Sequence, residues 1–224
     1  MNSLNKKAIV ELVRMPLILA AALFIPVWTF DYWQAWVLLI VFSLSAIVIS
    51  VYLMKHDPAL LARRIKGLGS ENEASQKIIQ IVAAVIFISL FIIPSIDHRF
   101  GWSTVPMAIV IVGNIFVLLG FFIVYLVFKE NTYTSAIIEI AAEQKVISTG
   151  PYALVRHPMY GGALIMLFGI PLALGSWWGL FAFYPMLLVI VWRLLDEEIF
   201  LAKNLPGYEE YTEKVKYHLI PHVW

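Results

Sequence analysis

Eleven residues, Gly150-Pro151-Tyr152-Ala153-Leu154-Val155-Arg156-His157-Pro158-Met159-Tyr160, bring two phenols, a guanidinium and an imidazole together just before a new apolar run. Gly150-Pro151 signals a turn, and Pro158 suits the first position of a helix, where its missing N–H would have had no partner. His157 then lies beside the free N–H groups of a helix start, a place that favours anionic ligands. About forty residues later a second polar cluster, Trp192-Arg193-Leu194-Leu195-Asp196-Glu197-Glu198, begins while the sequence is still helical and apolar. Arg193 and Glu197 are four apart, share a helix face and can reach each other or one ligand. Ionisable groups at membrane depth are costly and mark function, so these two belong to a candidate site, whereas Asp196 and Glu198 are read as ending the span.

The rest of the chain must carry these clusters to one place. Of 224 residues, 61% are hydrophobic and 14% charged, and mean hydropathy is +0.83, which places the chain among integral membrane proteins. With no cysteine, disulfides, thiolate metal sites and cysteine nucleophiles are excluded. A helix needs about 20 apolar residues to cross a bilayer core, and six runs are found. They lie at about 8–30, with Pro16 and Pro26 predicting a kink or interruption, then 33–54, 78–96, 104–128, 159–174 and 177–195. Met1 to Lys7 has no small-residue cleavage site after it and reads as the start of a retained first helix. The fold expected is all-α and polytopic, a single membrane domain of four N-terminal spans (1–128) followed by a half (129–224) that carries both polar clusters.

Six spans put every Lys and Arg except Arg99 on one side, which by the positive-inside rule makes both termini and the candidate site cytoplasmic. Lys55 to Lys77 reads as a solvated loop, and its Gly67 and Gly69 are no nucleotide motif without a preceding strand and a third glycine. Lys129 to His157 is too long for an idle hairpin. Ser135 to Gln144 within it is expected to form an interfacial helix, with Ile137, Ile138 and Ile140 apolar and Glu139 and Glu143 towards water. Asn114 is expected to make an interhelical hydrogen bond, and Gly161, Gly162 and Gly169 predict close helix approach or room for a ligand. After Pro206-Gly207, a short amphipathic helix is placed to cover a cytoplasmic pocket. His56, His98, His218 and His222 are read as interfacial.

Taken in order, Gly150-Pro151-Tyr152, Arg156-His157-Pro158 with Tyr160, Arg193 with Glu197-Glu198, Gly207-Tyr208 with Tyr211, and a late Pro221 resemble the C-terminal signature of the isoprenylcysteine carboxyl methyltransferase family, grouped with the membrane phospholipid methyltransferases. The Asn131 to Ser135 segment is similar to bacterial members, and the whole match covers roughly residues 130–221. The resemblance implies a transferase using S-adenosyl-L-methionine. Its cofactor contacts would fall on Gln144, Lys145, Val146 and Ile147, on Tyr152, on His157, Pro158, Met159 and Tyr160, and on Glu197. Arg193 would bind the acceptor and, with Glu197, carry the catalysis. Two departures from the mammalian pattern are Gln144 in place of His and Ile137 in place of a cofactor-binding Gln.

Methyl transfer from a sulfonium is a direct displacement that alignment accelerates, so no metal is expected, and neither a zinc signature nor a Ser-His-Asp arrangement can be argued. The acceptor expected is a lipophilic or lipidated molecule reached from the membrane lipid, with no nucleic acid partner. Carboxyl O-methylation is preferred, because Arg193 can hold an ionised carboxylate by paired hydrogen bonds without a base. Lipid amine N-methylation would require Glu197 or His157 as base. Thiol S-methylation, a sterol-reductase-like NADPH oxidoreductase and a non-enzymatic scaffold are the other readings. The expected location is a bacterial inner membrane.

Overall fold

The computed structural model describes residues 3–65, 74–138, 140 and 143–224. The described residues form eight α-helices: α1 Ser3–Val27, α2 Trp33–His56, α3 Pro58–Ile65, α4 Ala74–Phe100, α5 Met107–Glu130, α6 Pro158–Ala173, α7 Leu180–Asn204 and α8 Tyr208–Lys214, with a 3₁₀ turn at Gly150–Ala153. The chain is an all-helical polytopic membrane protein. Helices α1, α2, α4 and α5 are long and apolar enough to cross a bilayer. Helix α6, with 16 residues, reaches only about 24 Å at 1.5 Å per residue, and α7 is apolar until Arg193. The six long helices coincide with the six apolar runs, and α1 continues through Pro16 without interruption. Leu17, Ile25, Ile40, Val48, Val85 and Met107 are more than half exposed, as lipid-facing side chains must be. Exposed Trp28, Trp36, Trp102, Trp177 and Trp178 gather at the α1–α2, α4–α5 and α6–α7 turns, an aromatic belt at one end of the bundle.

Helices α5 and α6 are packed backbone to backbone. A Cβ on Gly113 would lie 2.3 Å from the Ala173 nitrogen, and one on Gly120 would lie 2.5 Å from the Gly162 carbonyl oxygen. Gly162 and Gly169 therefore serve close approach, as the small-residue pattern expects, while Gly161 faces only the Leu219 carbonyl oxygen, at 3.5 Å. At the belt end, buried Asp97 of α4 accepts from the Ser103 nitrogen (2.7 Å), from Ser103 Oγ (2.6 Å) and from Ser176 Oγ. Tyr32 OH donates to the Leu174 carbonyl at 2.7 Å. These bonds tie the turns around α6 and set its depth, so Pro158 emerges at the far end of the bundle.

Four expectations are corrected. Residues 58–65 are not a solvated loop but α3, because Asp57 Oδ1 caps the Leu60 nitrogen at 2.8 Å and Leu60 and Leu61 bury themselves; Gly67, Gly69 and the 70–73 stretch lie outside the described residues. The interfacial helix expected over Ser135–Gln144 is not formed at 135–138, at 140 or at 143–144. Side chains of other helices take the carbonyls its first turn would need, Arg64 Nη1 donating to Ser135 O (2.7 Å) and Arg193 Nη2 to Ala136 O (3.1 Å), while Arg63 donates to Thr132 O just before it. Glu139 lies outside the described residues, and Ile137 is buried rather than lying at an interface. Asn114 donates within its own helix, to Val110 O at 2.9 Å, and not across helices. His218 is not merely interfacial, for it lies in the site described next.

Candidate functional site

The two polar clusters meet at the end of the bundle opposite the aromatic belt, around a cavity that encloses about 850 Å³ when its open mouth is included. Three elements form its walls. The long loop contributes Gln144, Lys145, Val146 and Ile147, with Asn131, Tyr133, Thr134, Ser135, Ile137 and Ile138 from its first part. The start of α6 contributes His157, Pro158, Met159 and Tyr160, preceded by Tyr152 and Arg156, and α7 contributes Arg193, Glu197 and Leu201. Leu205, Tyr208 and Tyr211 close one side. Every residue singled out for cofactor or acceptor therefore borders a single space.

The local reasons are readable. Gly150 adopts φ +57, opening the 3₁₀ turn that presents Tyr152. Asn131 Nδ2 donates to the Tyr152 hydroxyl at 3.0 Å, and the Tyr152 carbonyl accepts from Tyr211 OH at 2.7 Å. His157 is the N-cap of α6 and Pro158 its first residue. Tyr160, one turn in, donates from its hydroxyl to Glu197 Oε2 at 2.5 Å, and the same phenol oxygen is hydrogen-bonded by Arg193. Arg193 Nη1 also donates to Gln76 Oε1 at 3.0 Å. The cavity thus presents a fixed guanidinium and a fixed carboxylate on either side of one phenol.

Glu198, read from sequence as a span terminator, is the centre of a buried knot. It accepts from His157 Nε2 at 2.6 Å and from Tyr208 OH at 2.7 Å, with Arg156 Nε 3.1 Å away but not pointed at it. Asp196 likewise has a partner, accepting from Gln76 Nε2 at 2.7 Å. Sequence reasoning left Glu198, Asp196, Gln76 and Arg64 out of the site, although Glu198 stands in the motif Glu197-Glu198 and Asp196-Glu197-Glu198 continues a helix whose other faces are apolar. Arg64 of α3 lies over the Phe128 ring, 5.2 Å from its centroid, and braces the loop carbonyl at Ser135. Burial pushes the Tyr152 phenol up, and burial reinforced by the Glu198 charge pushes the Tyr208 phenol far up. Both hydroxyls stay protonated, that of Tyr208 as the donor to Glu198.

The chain's last residues clasp this knot. Arg156 N donates to Tyr217 O and His157 N to His218 O, both at 2.9 Å, and Trp224 stacks on His218 at 4.7 Å between ring centroids. Arg156 Nη2 donates to His218 Nε2, which requires that nitrogen to be unprotonated. Burial and then the Arg156 charge lower the His218 pKa. The folded value lies below the unfolded ~6.5, so the stability it contributes is present above that pH and is lost as pH falls through it. The melting temperature of the purified protein is expected to fall between about pH 7 and pH 5. In a His218→Asn variant the decline should shrink; an equal decline would place its cause in other groups.

The phospholipid methyltransferase family model matches residues 108–206. The phospholipid methyltransferase region runs from α5 through α7 and stops just before α8, so it contains the glycine-packed pair, the long loop and both polar clusters. The first four helices, which hold Arg64 and Gln76, lie outside it. No curated protein matches the chain.

Proposed function

We propose that the protein transfers a methyl group from S-adenosyl-L-methionine to the carboxylate of a lipophilic, isoprenoid- or lipid-like acceptor at the cytoplasmic face of a bacterial inner membrane. One observation carries the reading: Arg193, Tyr160 and Glu197 converge on a single cavity inside the phospholipid methyltransferase region. The residues fit the donor. Glu197 offers an anion for the cofactor's cationic end, Val146, Leu201 and Leu205 offer apolar wall, and His157 to Tyr160 lie at a helix start. When bound, S-adenosyl-L-methionine supplies an electrophilic methyl carbon on a positively charged sulfur.

The chain's own residues then have little chemistry left to do. Arg193 holds the acceptor carboxylate by its planar fork and orients one oxygen for attack. With the donor bound, that oxygen would be placed to take the methyl carbon, and the electron pair of the carbon–sulfur bond would stay with the donor's sulfur. No proton moves, so no base is required, and alignment supplies much of the rate. The loop and α8 keep water out. Residues 1–128 serve as a four-span scaffold and 129–224 as the half that binds the cofactor, with Gln144, Lys145, Val146, Ile147, Tyr152, His157, Pro158, Met159, Tyr160 and Glu197 as its contacts. The concentration of Lys and Arg at the site end supports a cytoplasmic orientation.

Lipid amine N-methylation is the second reading, favoured by the family's description and by the carboxylate of Glu197 in the cavity wall. Purified protein incubated with methyl-labelled cofactor and bacterial lipid extract separates the two readings. A labelled methyl ester releases volatile methanol in alkali, whereas an N-methyl product does not. Tight binding of S-adenosylhomocysteine with none of NADPH is the companion result; the reverse would overturn methyl transfer.

A further inference from the structure

Gln76 lies at the start of α4, outside the phospholipid methyltransferase region and behind the cavity wall rather than on it. Its side chain is 4% exposed and joins two residues of α7. Nε2 donates to Asp196 Oδ2 at 2.7 Å, and Oε1 accepts from Arg193 Nη1 at 3.0 Å. Asp196 and Arg193, three apart on one helix, present their heads to the same neighbour. We propose that Gln76 is a positioning residue for the acceptor site, an amide bridge that carries the Asp196 carboxylate's hold to the Arg193 guanidinium and fixes the direction of its fork; this rests on the reading of Arg193 as the acceptor-binding group.

The chemistry of the position selects an amide. A carboxylate accepts only and a guanidinium donates only, so the bridge must donate at one end and accept at the other. Glu at 76 would place two carboxylates in contact, and Lys or Arg would oppose Arg193. The amide's polarity is fixed by its partners, so the side chain has a single satisfied orientation. Ala136 O, at 3.1 Å from Arg193 Nη2, holds the other arm. With both arms held from outside the cavity, the fork is oriented before the acceptor arrives, which is how pre-organised groups contribute to rate. The bridge also couples the N-terminal helices to a site otherwise built from residues after 130, giving α4 a role in the chemistry besides support.

Gln76→Ala keeps a good helix former in α4 and removes the bridge. With farnesoic acid as acceptor and saturating methyl donor, kcat/KM is expected to fall about tenfold or more, while S-adenosylhomocysteine affinity changes less than about twofold. The swap Gln76→Glu with Asp196→Asn retains total charge and both hydrogen bonds, since the amide at 196 donates to the carboxylate at 76 and that carboxylate accepts from Arg193. It should recover most of the loss. Unchanged turnover in Gln76→Ala overturns the inference. So does a parallel loss of cofactor affinity that the swap fails to restore, since that is what a merely structural residue would give. A second readout is independent of turnover: the Arg193 guanidinium N–H resonances of arginine-labelled protein, assigned by their loss in Arg193→Lys, should be resolved in the wild type and averaged by rotation in Gln76→Ala. Were the wild type to methylate neither farnesoic acid nor any lipid in the extract, the functional reading would fall alone. Identical resonances in the two proteins would then overturn the bridge.

Discussion

Replacing Arg193 by Ala is expected to lower turnover by about a hundredfold or more, the cost of losing alignment at a reacting centre, with S-adenosylhomocysteine binding nearly unchanged. The guanidinium donates to Gln76, to Ala136 O and to the Tyr160 phenol, so the Ala variant also leaves acceptors without donors and loses about 1–3 kcal/mol of stability. Arg193→Lys separates the effects, because it keeps the charge and much of the stem but not the planar fork. Its turnover should fall nearly as far while its melting temperature stays near wild type. Glu197→Gln discriminates between acceptors. If Glu197 only attracts the cationic cofactor, the variant weakens cofactor binding and leaves kcat largely intact at saturation. If Glu197 removes a proton from an amine, kcat collapses while cofactor affinity holds. Wild-type kinetics in Arg193→Ala would remove the site from this cavity.

The second large effect is expected at Gly120, within α5. Helix propensity alone would favour Ala there by about 1 kcal/mol, yet a Cβ would sit 2.5 Å from the Gly162 carbonyl oxygen and 2.7 Å from the Met166 nitrogen. Backbone atoms of α6 can yield only if the helix moves. Gly120→Ala is therefore expected to destabilise by about 1–3 kcal/mol. The pair Gly113→Ala with Gly120→Ala should lose folded protein altogether, since a Cβ at 113 would lie 2.3 Å from Ala173 N. Because α6 carries Pro158 to Tyr160 into the site, cofactor binding should fall with stability. Gly161→Ala is the control, as its nearest neighbour, Leu219 O, lies at an ordinary 3.5 Å and the change should stay within about 0.5 kcal/mol. A Gly120→Ala variant that melts like wild type would show that α5 and α6 are not held as described.

Legibility followed the range of the interactions. Helix positions depend on runs of apolar residues and on Pro and Gly punctuation, which are local, so six apolar runs anticipated six long helices to within a few residues at most ends. The loop from 129 to 157 was a functional candidate by length, but its backbone could not be derived, because Arg63, Arg64 and Arg193 come from distant segments to take its carbonyls. Isoleucine spacing in 137–140 suggested a helix, and the guanidinium bonds of Arg64 and Arg193 to the carbonyls of 135 and 136 prevailed over it where the chain is described.

Glu198 shows the same limit at one residue. Next to Glu197 and at the end of an apolar run, it has the sequence context of a solvated terminator. Its partners His157 and Tyr208 lie 41 residues before it and 10 after it, and nothing in their spacing points to it.

By itself the sequence determined the membrane class, the number of long helices, the side on which positive charge collects and the two clusters able to do chemistry. Each of these depends on composition or on neighbours within a few turns. Only the tertiary structure decided that the clusters share one cavity, that Glu198 and His218 belong to its support, and that Gln76 reaches Arg193 across 117 positions. Those facts depend on how α4, α6 and α7 are set against one another. That setting comes from backbone contact at glycines and from buried carboxylates that accept from several segments at once, and pairings of this kind leave no periodic trace along a chain.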